Sequence, residues 1–411
     1  MTAADPRRVV EAVWRTESAR IIAALARMVG DVGLAEELAQ DVLVIALEQW
    51  PEDGVPQHPA SWLMATAKHR AVDTLRRQSR YRQKLEEVGR ATPDSHEPDL
   101  AADLDDYVGD DLLRLIFATC HPVLSTEARA ALTLRLLGGL STEEIARAYL
   151  TSESTVGQRI TRAKRTLAEK KVPIELPPPA EAAERLASVL EVIYLIFNEG
   201  YAATAGADWA RPALCDEALR LGRMVASLAP QEPEVHGLVA LMEFQASRMR
   251  ARTVPDGSPV LLQDQDRRLW DRLLIRRGFE ALARAEGTWG PYVLQASIAA
   301  CHARASRAED TEWERVAALY QVLAHVSPSP VVELNRAVAV SYAESPERAL
   351  EIVDDLADRL AAYPLLAAVR GDLLARLGRP AEARAEFERA AEMTKNEGER
   401  ALFRIRAAAL T

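Results

Sequence analysis

Cysteine, aromatic residues and long apolar runs are all scarce in this 411-residue chain, and each shortage removes a class of protein. Three cysteines, Cys120, Cys215 and Cys301, cannot build a disulfide framework, and none lies in a CxxC pair, so a reducing cytoplasm is the expected compartment. Cys120–His121 and Cys301–His302 invite a zinc reading, but structural zinc wants four ligands, usually at CxxC or HxxxH spacing. Neighbours on a helix also point about 100° apart. No metal and no other cofactor is expected. The longest apolar run, Leu186 to Phe197, is interrupted by Glu191 and is too short to span a bilayer, and MTAADPRRVV lacks the apolar core of a signal peptide. The expectation is a protein with no membrane partner. There is no P-loop, GxSxG, HExxH or dinucleotide-binding turn, and Asp264 and Asp266 sit two residues apart, a spacing that does not share a helical face. We therefore expect no enzyme.

What the chain has in quantity is Ala, Leu, Glu and Arg, a balance that favours helix over sheet and points to an all-α fold. Hydrophobic residues at 48% and charged residues at 27% are globular values. A net charge of −10 argues at first against nucleic acid, but screening limits each charge to about 8–10 Å, so local clusters decide. Lys68 to Lys84 carries seven Lys/Arg against Asp73, and Arg159 to Lys171 carries six against Glu169. Between them, Glu86 to Asp111 holds ten acids against Arg90. Two basic surfaces joined by an acidic tether are expected.

Prolines and charge divide the chain into a helical block over 6–84, an acidic linker over 85–109, a second block over 110–172, and a helical extension over 181–411. Within the first block, WPEDGVPQHPAS forbids continuous helix; VPIELPPPAEA marks a stiff hinge before the extension. Near the end of the chain, Ala337, Val340, Ala349, Val353 and Leu356 recur 34 residues later as Gly371, Leu374, Ala383, Phe387 and Ala390. That period resembles the tetratricopeptide repeat, whose paired helices need small residues where they cross. Ordinary helical hairpins with accidental spacing are the competing reading, and either way the extension is a helical array.

The most informative stretch is LLGGLSTEEIARAYLTSESTVGQRITRAKRTL. Ser141 and Glu144 form a capping box. A turn near Leu150 to Ser152 follows, and the next helix turns Val156, Ile160, Ala163 and Leu167 inward. Its other face presents Ser154, Thr155, Gln158, Arg159, Arg162 and Arg165. This is helix-turn-helix patterning, in which Gln can read adenine, Arg can read guanine, and Ser or Thr suits bases or phosphates. By itself it is also compatible with a basic solvated helix of an unrelated bundle.

Upstream, DVGLAEELAQDVLVIALEQW and SWLMATAKHRAVDTLRRQSR resemble, in order and spacing, the two halves of region 2 of bacterial sigma factors of the extracytoplasmic-function group; the helix-turn-helix resembles region 4. The resemblance covers roughly residues 6–171. It implies that Glu37, Leu38, Gln40, Asp41, Val42 and Leu43 face the β′ clamp of core RNA polymerase. Burial in the helix's own core is the competing reading for Leu38 and Val42. It implies that Lys68, His69, Arg70, Asp73, Arg76, Arg77 and Arg80 lie at the promoter −10 element, where opened DNA calls for cations along the backbone. The irregular segment Pro51 to Ser61 would wrap a flipped base, while Trp62 reads better as core. Ser154, Thr155, Gln158, Arg159, Arg162 and Arg165 would lie at the −35 element, with the β flap as region 4's partner. Gly157 stands where many relatives carry arginine.

The extension's phrases VIYLIFNEGY, VPDGSPVLLQDQDRRLWD and SPSPVVELNRAVAV resemble a subgroup whose tetratricopeptide-like domain is thought to replace a separate anti-sigma factor. The resemblance implies cis regulation through Asn198, Glu199, Gly200, Tyr201, Asp256, Gly257, Asp264, Asp266, Arg267 and Trp270, with a signalling protein or ligand as partner. A ligand-responsive helix-turn-helix regulator is the alternative; region 2 discriminates, because such a regulator has no use for it.

Overall fold

The protein is described from a computed structural model covering residues 6–88, 108–149, 151–201, 211–254 and 259–410. Most of the acidic linker, together with Asp256 and Gly257, lies outside the described residues. The described residues form α-helices, three short 3-10 turns and one isolated bridge between Thr253 and Pro259. They fall into two compact units, Met1–Val192 and Ile193–Thr411.

The first unit opens with α1 (Pro6–Val29), α2 (Val32–Asp53) and α3 (Pro59–Val88). Gly30 at φ 69° ends α1, and Asp31 starts α2 by accepting a hydrogen bond from the Leu34 amide at 2.8 Å. Only residues 54–58 interrupt the helices, so the break is narrower than Pro51 to Ser61. Pro51 lies inside α2, and Gly54 at φ 90° supplies the turn. Then come α4 (Val108–Thr119), α5 (Thr126–Leu136), α6 (Thr142–Ala148) and α7 (Glu153–Glu169). Helix α4 packs on α1, and α7 packs on α5, α6 and α2, so the two sequence blocks share one body.

The division between the units falls within α8 (Pro179–Tyr201), later than the proline-marked hinge at 181. The reason is that residues 185–191 pack on the α4–α5 corner. Buried Arg129 donates to Ser188 Oγ at 2.5 Å and Glu191 Oε2 at 3.1 Å, Ser188 donates to the Cys120 carbonyl, and Arg185 donates to the Phe117 carbonyl.

The second unit continues through α9 (Pro212–Leu228), α10 (Pro233–Ala246), α11 (Arg272–Ala283), α12 (Pro291–Arg304) and α13 (Trp313–Val326). Helices α14 (Pro330–Ala343), α15 (Pro346–Asp355), α16 (Pro364–Arg376), α17 (Pro380–Met393) and α18 (Glu397–Ala408) complete it. The 34-residue period is realised in three dimensions: α14 and α16 open on Pro330 and Pro364, and α15 and α17 on Pro346 and Pro380. All ten repeat positions are buried. A Cβ on Gly371 would sit 3.1 Å from the Ala383 carbonyl and 3.2 Å from the Phe387 ring, so this crossing is close.

Candidate nucleic-acid interface

The helix-turn-helix is built as its caps dictate. Glu144 N–H donates to Ser141 Oγ at 3.0 Å, and Ser141 N–H donates to Glu144 Oε2 at 2.8 Å, closing the capping box that starts α6. Ser152 caps α7, accepting from the Thr155 amide at 3.1 Å. Val156, Ile160, Ala163 and Leu167 are buried, leaving Ser154, Thr155, Gln158, Arg162 and Arg165 exposed and Arg159 half-buried. Arg165 lies 3.4 Å from Glu169 one turn on, a surface pair of little energetic weight. The Ser154 and Thr155 hydroxyls both bond Ser152 Oγ, which holds the N-terminal end of α7 in a compact polar knot.

On α3, His69, Asp73, Arg76, Arg77 and Arg80 are exposed, and Lys68 and Arg70 are half-buried. Arg76, Arg77 and Arg80 have no carboxylate partner among the described residues. Arg70 reaches toward Asp41 of α2 at 3.9 Å. Trp62 is half-buried and packs edge-on against buried Trp50, with ring centroids 5.5 Å apart. It serves the α2–α3 joint.

Helix α2 requires a correction. Leu38 and Val42 point into the core, because residues four apart share one face, and here that face meets the rest of the bundle. The outward face is Glu37, Gln40 and Asp41, with Leu43 half-buried.

Sequence reasoning missed the charged groups that join the two blocks. Glu36 is 5% exposed and accepts from Arg135 Nε of α5 at 2.8 Å and from Gln40 Nε2 at 3.0 Å; Lys164 of α7 pairs with its other oxygen. Asp111 of α4, also 5% exposed, accepts from Arg27 Nε of α1 at 2.9 Å and Arg114 at 3.1 Å. The available signal was a carboxylate on the inward stripe of α2, between Ala35 and Ala39, where only a partnered charge is tolerated. One cation of α7, Lys164, is therefore held by α2.

In the extension, Asn198 is exposed, Gly200 is buried against Leu214 and Cys215, and Glu199 pairs with Arg211. The Tyr201 ring lies 3.5 Å beneath the Arg252 guanidinium, and its hydroxyl accepts from Arg248 at 2.7 Å. Asp264 is exposed and Asp266 binds Arg268, so neither forms a pair with Arg267. Arg267 is instead buried, donating to the carbonyls of His302 and Ala305 at the end of α12 and lying 4.7 Å from the Trp270 ring centroid. This is helix C-capping by a cation. The three cysteines are buried and unpaired, and burial pushes the Cys215 thiol up to about 12. Among the described residues no helix is long and apolar enough to cross a membrane.

Known families match the same segments. Residues 13–81 match sigma-70 region 2, residues 114–167 match sigma-70 region 4, and residues 185–286 match a family of unknown function, DUF6596. The chain is 47% identical over 388 residues to an uncharacterized protein of Rhizobium meliloti (strain 1021), covering 93% of this chain and 91% of the relative. It is 30% identical over 152 residues to the ECF RNA polymerase sigma factor SigK of Mycobacterium ulcerans (strain Agy99), covering 36% of this chain and 78% of that one. It is 27% identical over 183 residues to the probable ECF RNA polymerase sigma factor SigI of Mycobacterium tuberculosis (strain CDC 1551 / Oshkosh), covering 43% and 60%. With region 2 and region 4 in order on one compact unit, and a helical-repeat extension behind them, the chain belongs to the ECF RNA polymerase sigma factors, the promoter-directing subunits of transcription initiation.

Proposed function

We propose that this sigma factor rests in a closed form in which regions 2 and 4 hold each other, and that promoter recognition requires them to part. The observation that carries this is the buried Glu36 carboxylate of α2, shared by Arg135 and Lys164 of region 4. Elements centred at −10 and −35 are about 25 base pairs apart, roughly 85 Å of B-form DNA at 3.4 Å per step. Helix α7 spans only about 25 Å at 1.5 Å per residue. Tethered at Glu36, it cannot sit in the −35 major groove while α3 engages the −10 strand.

In the open form, Glu37, Gln40 and Asp41 meet the β′ clamp of core polymerase, and region 4 meets the β flap. Lys68, His69, Arg70, Asp73, Arg76, Arg77 and Arg80 line the −10 strand; the arginines neutralise its phosphates. Ser154, Thr155, Gln158, Arg159, Arg162 and Arg165 meet the −35 duplex, with Gln158 and Arg162 placed for base edges.

The extension regulates this switch in cis, in answer to a ligand or signalling protein. In support, the first half of α8 is bonded to region 4 through Arg129, Arg185 and Ser188. The residues expected to carry this control are those around Asn198, Glu199, Gly200, Tyr201, Asp256, Gly257 and Trp270; Arg267 and Asp266 act there by positioning backbone.

Run-off transcription with sigma-free core polymerase tests the reading, using the full chain, Glu36→Ala, and a chain ending at Tyr201, which keeps α8 on region 4. Promoter-dependent transcript from all three, raised in Glu36→Ala, is expected. Transcript unaltered by Glu36→Ala would remove the closed form. No transcript from any would remove the polymerase- and promoter-contact assignments.

A further inference from the structure

The second unit encloses a cavity of about 220 Å³ between α8, α10, α12, α13 and α14 and the segment around Leu262 and Trp270. None of its lining residues is acidic. Its one lining cation, Arg248, has no carboxylate partner among the described residues. Its Nη2 donates to Tyr201 Oη and Gln245 Oε1, both at 2.7 Å, and the Tyr201 and Trp270 rings flank the guanidinium at 5.7 and 5.8 Å. Two held bonds and two flanking rings fix the plane of the fork and leave Nε and Nη1 for another acceptor.

Among the other polar groups, Gln295 is held by Tyr194 Oη and the Pro291 carbonyl, while three side chains offer donors or no charge. The Trp270 indole N–H is buried with no hydrogen-bond partner among the described residues, a vacancy that in a native interior calls for explanation. The buried Tyr320 phenol faces the same cavity, and burial pushes it up to about 12, so it stays a donor. His302 lines the cavity too; burial, then the Arg248 and Arg267 guanidiniums, push it down to about 4, so it adds no charge at neutral pH. Leu241, Phe244, Ile298, Leu323 and Val332 form an apolar part of the wall, and Tyr194, Gln295 and Asn335 a polar one.

We infer that this cavity is a binding site for a small monocarboxylate with a compact aromatic or branched apolar body. With Nη2 held, a carboxylate accepts from the remaining N–H groups singly and balances the one cation, a single cation leaves the dianionic form of inorganic phosphate uncompensated, and the volume equals about seven waters. The site deepens the reading of the extension as a regulator, yet binding stands or falls without it.

The test is saturation-transfer NMR and calorimetry on the full chain with benzoate, isovalerate, benzyl alcohol, benzylamine and inorganic phosphate. Saturable binding of a carboxylate is expected, with the alcohol about tenfold weaker, since an unanswered guanidinium contact is worth at least that factor, and with no amine binding. Arg248→Gln and the cavity-filling Ala299→Leu, which lies on α12, should each weaken the carboxylate about tenfold or more; the second serves if the first fails to fold. No carboxylate binding, equal binding of alcohol or phosphate, or carboxylate binding untouched by the substitutions would overturn the site. Carboxylate binding that leaves run-off transcription unchanged would keep the site and remove the regulatory reading instead.

Discussion

Charge is used differently in the two units. In the first, buried carboxylates join segments far apart in the chain: Glu36 meets Arg135 and Lys164, and Asp111 meets Arg27. In the terminal repeats, many pairs lie three or four residues apart on one helix, such as Arg348–Glu351, Arg379–Glu382 and Arg384–Glu388, and most of these are exposed. Arg370 does bridge Asp354 of α15 and Glu386 of α17, but the crossing itself is apolar, with Gly371 against Phe387 and Leu374, Ala383 and Ala390 buried beside them. A charged joint can be exchanged for phosphates or for another protein's charges; an interdigitated apolar joint has no such substitute. On the proposed reading the first unit opens at its charged joint while the apolar crossings of the repeats stay shut.

The sharpest way to break this contrast is Phe387→Ala. It should cost the repeats about 3–5 kcal/mol, because the ring is 1% exposed and its loss leaves a cavity, read as an earlier urea transition of the array. A shift within the error of the wild-type curve would show that packing does not dominate there.

Next is a pH effect in the same unit. His302 titrates at about 4 when folded against 6.5 when unfolded, so the unfolded chain binds more protons between those values. Stability should be intact above pH 6.5 and fall as pH drops toward 4, by up to about 3 kcal/mol. His302→Gln should flatten that slope relative to wild type in thermal melts at pH 7 and pH 4.5; parallel slopes would place the histidine in solvent.

Glu36→Ala should be somewhat milder, about 1–3 kcal/mol, because Arg135 and Lys164 are each about a quarter exposed and can turn to water. Its signature is local: faster amide exchange in α5 and α7 with the repeats unchanged. Equal exchange throughout would mean that the α1–α4 contact, with its Arg27–Asp111 pair, closes the unit without Glu36. The smallest effect on stability belongs to Arg162→Ala, which is exposed and should change folding by less than about 0.5 kcal/mol. It should nonetheless cost about 1–3 kcal/mol at the −35 element, seen as lost template preference in transcription.

Much of this was legible before any coordinates. The capping box at Ser141, the inward stripe of α7, the 34-residue period and the basic face of α3 all depend on residues close together along the chain, and helical geometry converts such spacing directly into faces and caps. Leu38 and Val42 show the limit, since the pattern that marks a helix as amphipathic does not say whether its apolar stripe meets its own bundle or a partner.

Composition and periodicity alone therefore determined the all-α class, the helix-turn-helix and the repeat. Only the tertiary structure decided that Glu36 joins α2 to α5 and α7, that Arg267 caps α12, and that Arg248, Trp270 and Tyr320 converge on one cavity. The physical reason is range. Backbone hydrogen bonding and side-chain spacing act over a few residues, whereas a buried charge or an unfilled cavity is defined by whichever distant segments exclude water from it.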